Sequence, residues 1–303
     1  MSNAIPGGSK PPSKYVNGKV FPEDLHAKSA SENLTWVKGN RDPDALDEVS
    51  RKILAAQPSA GTSIFDPVLC ELAYRWFCPI KGNVLDPFAG GSVRGIVASK
   101  LDRQYVGIEL RQEQVEANRT QATQICQDPQ PVWICGDSVE IKNHVKDFVP
   151  DLIFSCPPYA DLEVYSEDPK DLSTMPYEQF IKAYNEIILG SVDLLKEDRF
   201  ACFVVGDLRD KKGFYRNFVS HTIEAFEMAG ARLYNEAILV TSLGSLPIRV
   251  GKAFSATRKM GKTHQNVLVF CKGDPRKATE ACGTVEIADI EGMNEELGVA
   301  TSE

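Results

Sequence analysis

The sequence predicts an α/β fold, doubly wound about a mostly parallel sheet. Three observations predict it. Short apolar runs alternate with helix-length amphipathic segments over about 200 residues. A small-residue turn, Ala89-Gly90-Gly91, follows closely on the first of those runs. An acid, Glu109, closes the second run 23 residues after Asp86 closes the first. In an open α/β sheet a carboxylate at that place commonly receives ribose hydroxyls.

The elements follow in order. Gly61 to Pro67 is a turn, and Pro67 is suited to the first position of an apolar helix over 68–77. Asn83–Asp86 is a short strand. Pro87-Phe-Ala-Gly-Gly-Ser92 turns the chain into a helix over Val93–Lys100. Gln104–Glu109 is the second strand, Gln112–Ala122 an amphipathic helix, and Val132–Cys135 a third strand closed by Gly136-Asp137. Asp151–Ser155 is the fourth strand, Tyr177–Leu195 a long helix, and Phe200–Val205 the fifth strand. A helix over Arg216–Ala229 is stopped by Gly230. Leu233–Val240 and Val267–Phe270 are the last two strands. Thr241 to His264, between them, reads as a long mobile loop. Residues 1–45 read as a flexible arm that docks through Trp36, and Asp44–Ala56 has helical spacing. The expected domain is 46–273, followed by an acidic, disordered tail over 274–303.

Composition narrows the class. At 303 residues, 43% hydrophobic and 25% charged, the chain can bury one sizeable core. No apolar run reaches membrane-spanning length, and no signal peptide opens the chain. The eight cysteines form no C-x-x-C pair and the four histidines are dispersed. A cytoplasmic protein with neither disulfides nor a metal site is therefore expected. The net charge of −8 is unevenly placed: −6 falls in residues 274–303, with eight acids against two bases. No Asp or Glu occurs between Ala237 and Gly273, while Arg249, Lys252, Arg258, Lys259, Lys262 and Lys272 do. That stretch is a candidate for phosphate contact.

The chemistry concentrates in Asp151-Leu-Ile-Phe-Ser-Cys-Pro-Pro-Tyr159. Two prolines cannot continue a ladder, so the chain must leave the sheet at Cys156 as a stiff, extended loop. Such a loop presents Tyr159 for stacking and the carbonyls of Cys156 and Pro157 as acceptors for a flat base bearing an amino group. The glycines of the first turn do not fit G-x-G-x-x-G, and there is no G-K-[ST]. Nothing specific therefore supports a nicotinamide cofactor or a nucleoside triphosphate.

Asp86-Pro-Phe-Ala-Gly-Gly-Ser92 resembles the S-adenosylmethionine loop of amino-group DNA methyltransferases, the N6-adenine and N4-cytosine enzymes. Val106-Gly-Ile-Glu109 is similar to their ribose-binding segment, and Cys156-Pro-Pro-Tyr159 to their catalytic [DNS]-P-P-[YFW] motif. Ser63-Ile-Phe-Asp-Pro67 resembles the segment that precedes the cofactor loop. The likeness covers about residues 60 to 273. It implies a class I methyltransferase fold, Rossmann-like, with seven strands of which the last is antiparallel. It also implies S-adenosyl-L-methionine as cofactor. Asp86, Phe88 and Gly90 would lie along its methionine portion, with Pro87 and Gly91 also binding the cofactor, Glu109 at the ribose, Asp137 at the adenine amino group, and Phe65 and Asp66 binding from the preceding helix. Cys156, Pro157, Pro158 and Tyr159 would be catalytic toward a flipped adenine or cytosine. Arg249, Lys252, Arg258, Lys259 and Lys262 would bind DNA. DNA is the expected partner, a homodimer is admitted, and no membrane or metal is.

The chain departs from the family at one place, where Cys156 stands for Asp, Asn or Ser. A thiol is a weak acceptor. Backbone carbonyls and Ser155 are the substitutes on the amino-group reading. A nucleophilic Cys156 would instead mean carbon-5 methylation of a pyrimidine, although that family's cysteine follows its Pro-Pro pair. An RNA or other amide or amine substrate, and a non-catalytic DNA-binding subunit, are the remaining alternatives. Asp161 to Ser166 is a candidate lining of the target pocket, and Asp207 and Arg209 are candidate substrate contacts.

Overall fold

The computed structural model describes residues 65–160, 165–240 and 246–285, without the side chains of 246–249 and 252, and two short N-terminal strands. The chain divides into two compact units, Met1–Ser63 and Ile64–Glu303. In the first, Tyr15–Val16 pairs antiparallel with Lys19–Val20. The helix expected at Asp44–Ala56 and the docking through Trp36 lie outside the described residues. The second unit begins at Ile64, later than the expected boundary at residue 46.

Its centre is a seven-stranded sheet. In chain order the strands are β1 Asn83–Asp86, β2 Gln104–Glu109, β3 Val132–Cys135, β4 Leu152–Ser155, β5 Arg199–Val205, β6 Ala231–Val240 and β7 His264–Lys272. Their order in space is 3-2-1-4-5-7-6. β1 to β5 run parallel, and β7 lies antiparallel between β5 and β6. This is the class I methyltransferase sheet. The order reverses direction between β1 and β4, the switch point outside which an open α/β sheet binds its ligand. β1 and β4 are buried along nearly their whole length, as strands covered on both faces must be, which is why they read as continuous apolar runs.

Eight helices are described: α1 Pro67–Phe77, α2 Val93–Lys100, α3 Gln112–Ile125, α4 Ile141–His144, α5 Tyr177–Leu194, α6 Phe218–Met228, α7 Leu246–Thr257 and α8 Pro275–Cys282. One core lies between the sheet and α1, with Tyr74, Trp133, Phe154 and Phe200 among its members. A second joins α5 and α6 to the other face through Phe180, Tyr184, Phe203, Phe226 and Phe270. Gly95 allows α2 to sit close on the sheet: a Cβ there would stand 2.5 Å from the Trp133 ring and 3.0 Å from that of Tyr105.

Three expectations are corrected. The stretch from Thr241 to His264 is no continuous loop, because α7 occupies 246–257. Pro247 and Gly251 suggested a loop, but proline in a first turn loses no needed hydrogen bond. An interior glycine costs only about 1 kcal/mol. The tail does not begin at 274 either. Asp274 accepts from the Arg276 N–H, Pro275 opens α8, and Ala278 and Cys282, four apart, are buried in the α1-side core. The acidic count hid this apolar pair. Finally, α6 begins at Phe218 rather than Arg216, because Asn217 at φ +55° breaks the helical path before it.

Candidate active site

Three loops leave the carboxyl ends of β1, β2 and β4, and their floor is a buried polar network. Asp86 is fully buried. One of its oxygens accepts from the Phe88 N–H (3.1 Å) and the Ser155 hydroxyl (2.6 Å). The other accepts from Arg94 Nε (2.6 Å) and the Tyr105 hydroxyl (2.8 Å). A carboxylate has about four acceptor sites, so Asp86 is saturated. This corrects its expected place along the cofactor: it lies behind the loop and has no surface to offer a ligand. Arg94 completes the network by donating Nη2 to the carbonyls of Phe88 (2.6 Å) and Ala89 (2.9 Å). Arg94 was not singled out from the sequence. The available signal was an arginine in the first turn of a helix whose other residues, up to the terminal Lys100, are small or apolar.

Ser155 is likewise reassigned. It is buried and gives its hydroxyl proton to Asp86, so it bolts β4 to the β1 loop instead of facing substrate. A second bolt was also missed: Ser138, just after β3, donates to the Pro87 carbonyl at 2.5 Å.

The β1 loop runs against the end of β2. The Ala89 N–H donates to the Ile108 carbonyl at 3.0 Å, and Asn118 of α3 donates to the Gly90 carbonyl at 2.7 Å. A Cβ at Gly107 would stand 2.7 Å from that of Ala89, which explains the glycine in Val106-Gly-Ile-Glu109. Gly90 has φ +51°, a conformation that a Cβ penalises. Glu109 accepts from the Gly90 N–H (2.9 Å) with one oxygen and the Arg111 N–H (3.0 Å) with the other. The Arg111 guanidinium also lies 3.4 Å from that second oxygen, so the oxygen bonded to Gly90 retains the clearer acceptor site for a hydroxyl. Pro87 is buried, and Phe88 stacks on Tyr184 of α5 (5.8 Å between centroids). Asp137, half-buried, caps the short 3₁₀ turn 138–140 by accepting from the Val139 N–H. Phe65 packs edge-on to Phe154 and lies 4.8 Å from the Arg94 guanidinium. Asp66 is exposed and caps α1, accepting from Val68 N–H at 2.8 Å.

Cys156-Pro-Pro-Tyr159 follows β4 directly, one strand from the β1 loop. Pro157 is buried, while Cys156, Pro158 and Tyr159 are partly exposed. The Tyr159 ring meets Phe218 edge-on (6.2 Å), and its hydroxyl accepts from Gln265 Nε2 of β7. Burial, and then the neighbouring Cys156 thiol, push its phenol above the ordinary value of 10. It is therefore neutral at physiological pH. Phe218 packs in turn on Tyr184 (5.1 Å), so an aromatic chain Phe88–Tyr184–Phe218–Tyr159 joins the two loops. Behind them, buried Ala160 has φ +47°. A non-glycine residue held there stores strain, and such strain gathers at functional sites.

Other candidates stand further off. Asp207 accepts from the Val219 N–H at 3.2 Å, in the first turn of α6. Arg209 donates to the Gly213 carbonyl and lies over the Tyr215 ring at 3.9 Å. Residues 161–164 lie outside the described residues. Arg249 and Lys252 are on α7; Arg258, Lys259 and Lys262 follow it.

The residues fit S-adenosylmethionine. A Cβ placed on Gly90 or Gly91 would meet nothing within 4 Å, so the loop backbone borders open space as a ligand's close approach requires. Glu109 at the end of β2 and Asp137 after β3 supply acceptors along the same sheet edge. Among the described residues no group of His, Cys, Asp and Glu could hold a metal ion, and no helix is long and apolar enough to cross a membrane.

Residues 69–120 match the model of a family described as DNA methylase, N6_N4_Mtase. No curated protein sequence matches. Solved structures with similar folds include TrmN from Thermus thermophilus, at 16% identity and TM-score 0.44, covering 69% of this chain and 49% of that one. The chain thus spans about half of TrmN's length. A TehB-like SAM-dependent methyltransferase from Corynebacterium glutamicum covers 82% of this chain and 100% of its own, at 17% identity and TM-score 0.41. An rRNA methylase from Streptococcus thermophilus covers 70% and 100%, at 10% identity and TM-score 0.44. The sheet order makes this a class I methyltransferase fold with S-adenosylmethionine as its cofactor, and the stretch that holds its cofactor loop, residues 69–120, is similar to the DNA methylase model.

Proposed function

We propose that the protein methylates an exocyclic amino group of a flipped adenine or cytosine in DNA. The observation that carries this reading is the placement of Cys156-Pro-Pro-Tyr159 beside the β1 loop, with Ser155 and Asp86 locking the two together. When bound, the cofactor supplies a methyl group on a sulfonium leaving group. The chain's task is then alignment and electrostatics. Glu109 and Asp137 orient the cofactor through ribose and adenine, and the glycine loop lets its methionine portion lie against the backbone. Tyr159 stacks on the extruded base. The carbonyls of Cys156 and Pro157 accept the amino hydrogens and so direct the nitrogen lone pair at the methyl carbon. The amine sheds its proton late, so no strong base is needed, and none is built at the Cys156 position.

A nucleophilic Cys156 attacking a pyrimidine ring is the second reading, favoured by the partly exposed thiol in the motif's first position. Mass spectrometry of nucleosides from DNA of cells expressing the protein tests both. N6-methyladenine or N4-methylcytosine supports the first, 5-methylcytosine the second, and no methylated nucleoside sinks both.

A further inference from the structure

We propose that the hairpin over residues 207–217, with the segment that follows α7, is a base-stacking surface for the nucleic acid strand that flanks the target nucleotide. The proposal rests on the reading of a nucleic acid substrate and goes beyond it by naming a surface and its mode of contact. β5 ends at Val205, and β7, antiparallel to it, pairs Asn266 with Val205. The chain after β5 and the chain before β7 therefore emerge at one edge of the sheet. That edge continues into the catalytic loop: a Cβ on Gly206 would lie 3.8 Å from the Tyr159 hydroxyl and 3.7 Å from Gln265. The two segments also meet each other. Arg209 bridges Tyr215 to close the hairpin, and the Lys259 side chain lies on Gly213 at its turn, with Nζ 2.6 Å from where a Cβ would be.

What this surface displays is unusual for an acidic protein. Phe214 is 71% exposed and Tyr215 43%. Arg209 stacks on Tyr215 at 3.9 Å, and Arg258 lies 5.2 Å over the exposed ring of Phe254. Residues 207–217 carry four Lys or Arg against two Asp, and residues 258–264 carry three against none. Exposed rings among arginine and lysine match a polyanion whose flat groups are accessible. Phosphates meet the cations and bases meet the rings. A protein partner with an acidic face would satisfy the charge but would not call for two protruding rings.

The test uses the full-length protein and three fluorescent probes of equal length: a mixed-sequence single DNA strand, a strand of abasic residues carrying the same phosphates, and a mixed-sequence duplex. Wild type is expected to bind the base-bearing strand more tightly than the abasic one. Phe214→Ala is expected to weaken the base-bearing strand roughly 5- to 160-fold, the range of one base–aromatic stack, and to leave the abasic strand unchanged. Phe214→Trp is expected to keep the preference, which separates stacking from damage to the hairpin. Lys211→Gln with Lys212→Gln is expected to weaken both strands alike and to lower the salt slope by about 1.4 for the two charges lost. Equal wild-type affinity for base-bearing and abasic strands, or an unchanged preference in Phe214→Ala, overturns the proposal. So does tighter binding to the duplex that Phe214→Ala does not alter. Methylated nucleosides in DNA with no base-dependent binding would leave the reaction standing and remove the surface. Base-dependent binding without methylated DNA would do the reverse.

Discussion

Arg94→Met is the most informative perturbation of this fold. Arg94 is 5% exposed and its partner Asp86 0%. The substitution keeps much of the aliphatic stem and removes three donor contacts: one to Asp86 Oδ2 and two to the loop carbonyls of Phe88 and Ala89. Asp86 retains the Tyr105 and Ser155 hydroxyls and the Phe88 N–H, but loses its only ion-pair partner among the described residues. Removing one member of a buried pair costs about 3–5 kcal/mol, because the remaining charge is left uncompensated. For a domain of this size about 2–4 °C accompanies each kcal/mol, so the thermal midpoint is expected to fall by about 6–20 °C. Calorimetry and urea unfolding measure both figures. Asp86→Asn alone should cost a similar amount, and the double variant should cost less than the sum by about 1.5–3 kcal/mol, since the two act as one unit. A loss under about 1 kcal/mol in Arg94→Met, or strict additivity in the double variant, would refute the view that this pair holds the cofactor loop.

Glu109→Ala should weaken S-adenosylmethionine binding by about 1.5–3 kcal/mol, the worth of a charge-assisted hydrogen bond; unchanged calorimetric affinity would remove Glu109 from the site. Tyr159→Ala should nearly abolish methyl transfer while cofactor binding persists, whereas Cys156→Ser should retain or improve it. An inactive Cys156→Ser that folds and binds cofactor normally would instead support the nucleophilic reading. Asp151, at the foot of β4, titrates below its ordinary value of 3.8: burial alone would raise it, but hydrogen bonds from Lys196, the Asn83 N–H and Arg199 outweigh that effect. A depressed folded value means stability that is fully present above the unfolded value of about 3.9 and lost as pH falls through the folded one. The stability difference between wild type and Asp151→Asn should therefore hold from pH 7 to about 5 and shrink toward pH 3; a difference constant over that span would refute the assignment.

The sequence by itself determined that seven strands exist and that most run parallel, although β7, at His264–Lys272, extends beyond its apolar run of 267–270. β1, β2 and β3 have the bounds their runs predict; β1 and β2 are buried along most of their length and so leave a nearly continuous apolar signature, whereas the edge strand β3 is buried at Trp133 and exposed at both ends. It also placed the glycine loop after β1 and the Pro-Pro loop after β4, since glycine and proline act on the backbone locally and need no partner to do so. It misread α7 and α8, where a first-turn proline and an excess of acid outweighed weaker helical spacing.

Only the tertiary structure decided what the polar side chains do. Asp86, Ser155, Arg94 and Ser138 lie up to 69 positions apart yet form one buried set of contacts between the β1, β3 and β4 ends. Nothing in a one-dimensional pattern distinguishes an acid that meets a ligand from one that meets an arginine behind the loop. The same holds for Gln265, 106 residues from the tyrosine it holds, and for Phe214, whose exposure depends on which strand edge its hairpin leaves. Local backbone preference is written residue by residue, whereas the pairing of a buried charge follows from topology, because burial makes an unpartnered charge too costly to leave.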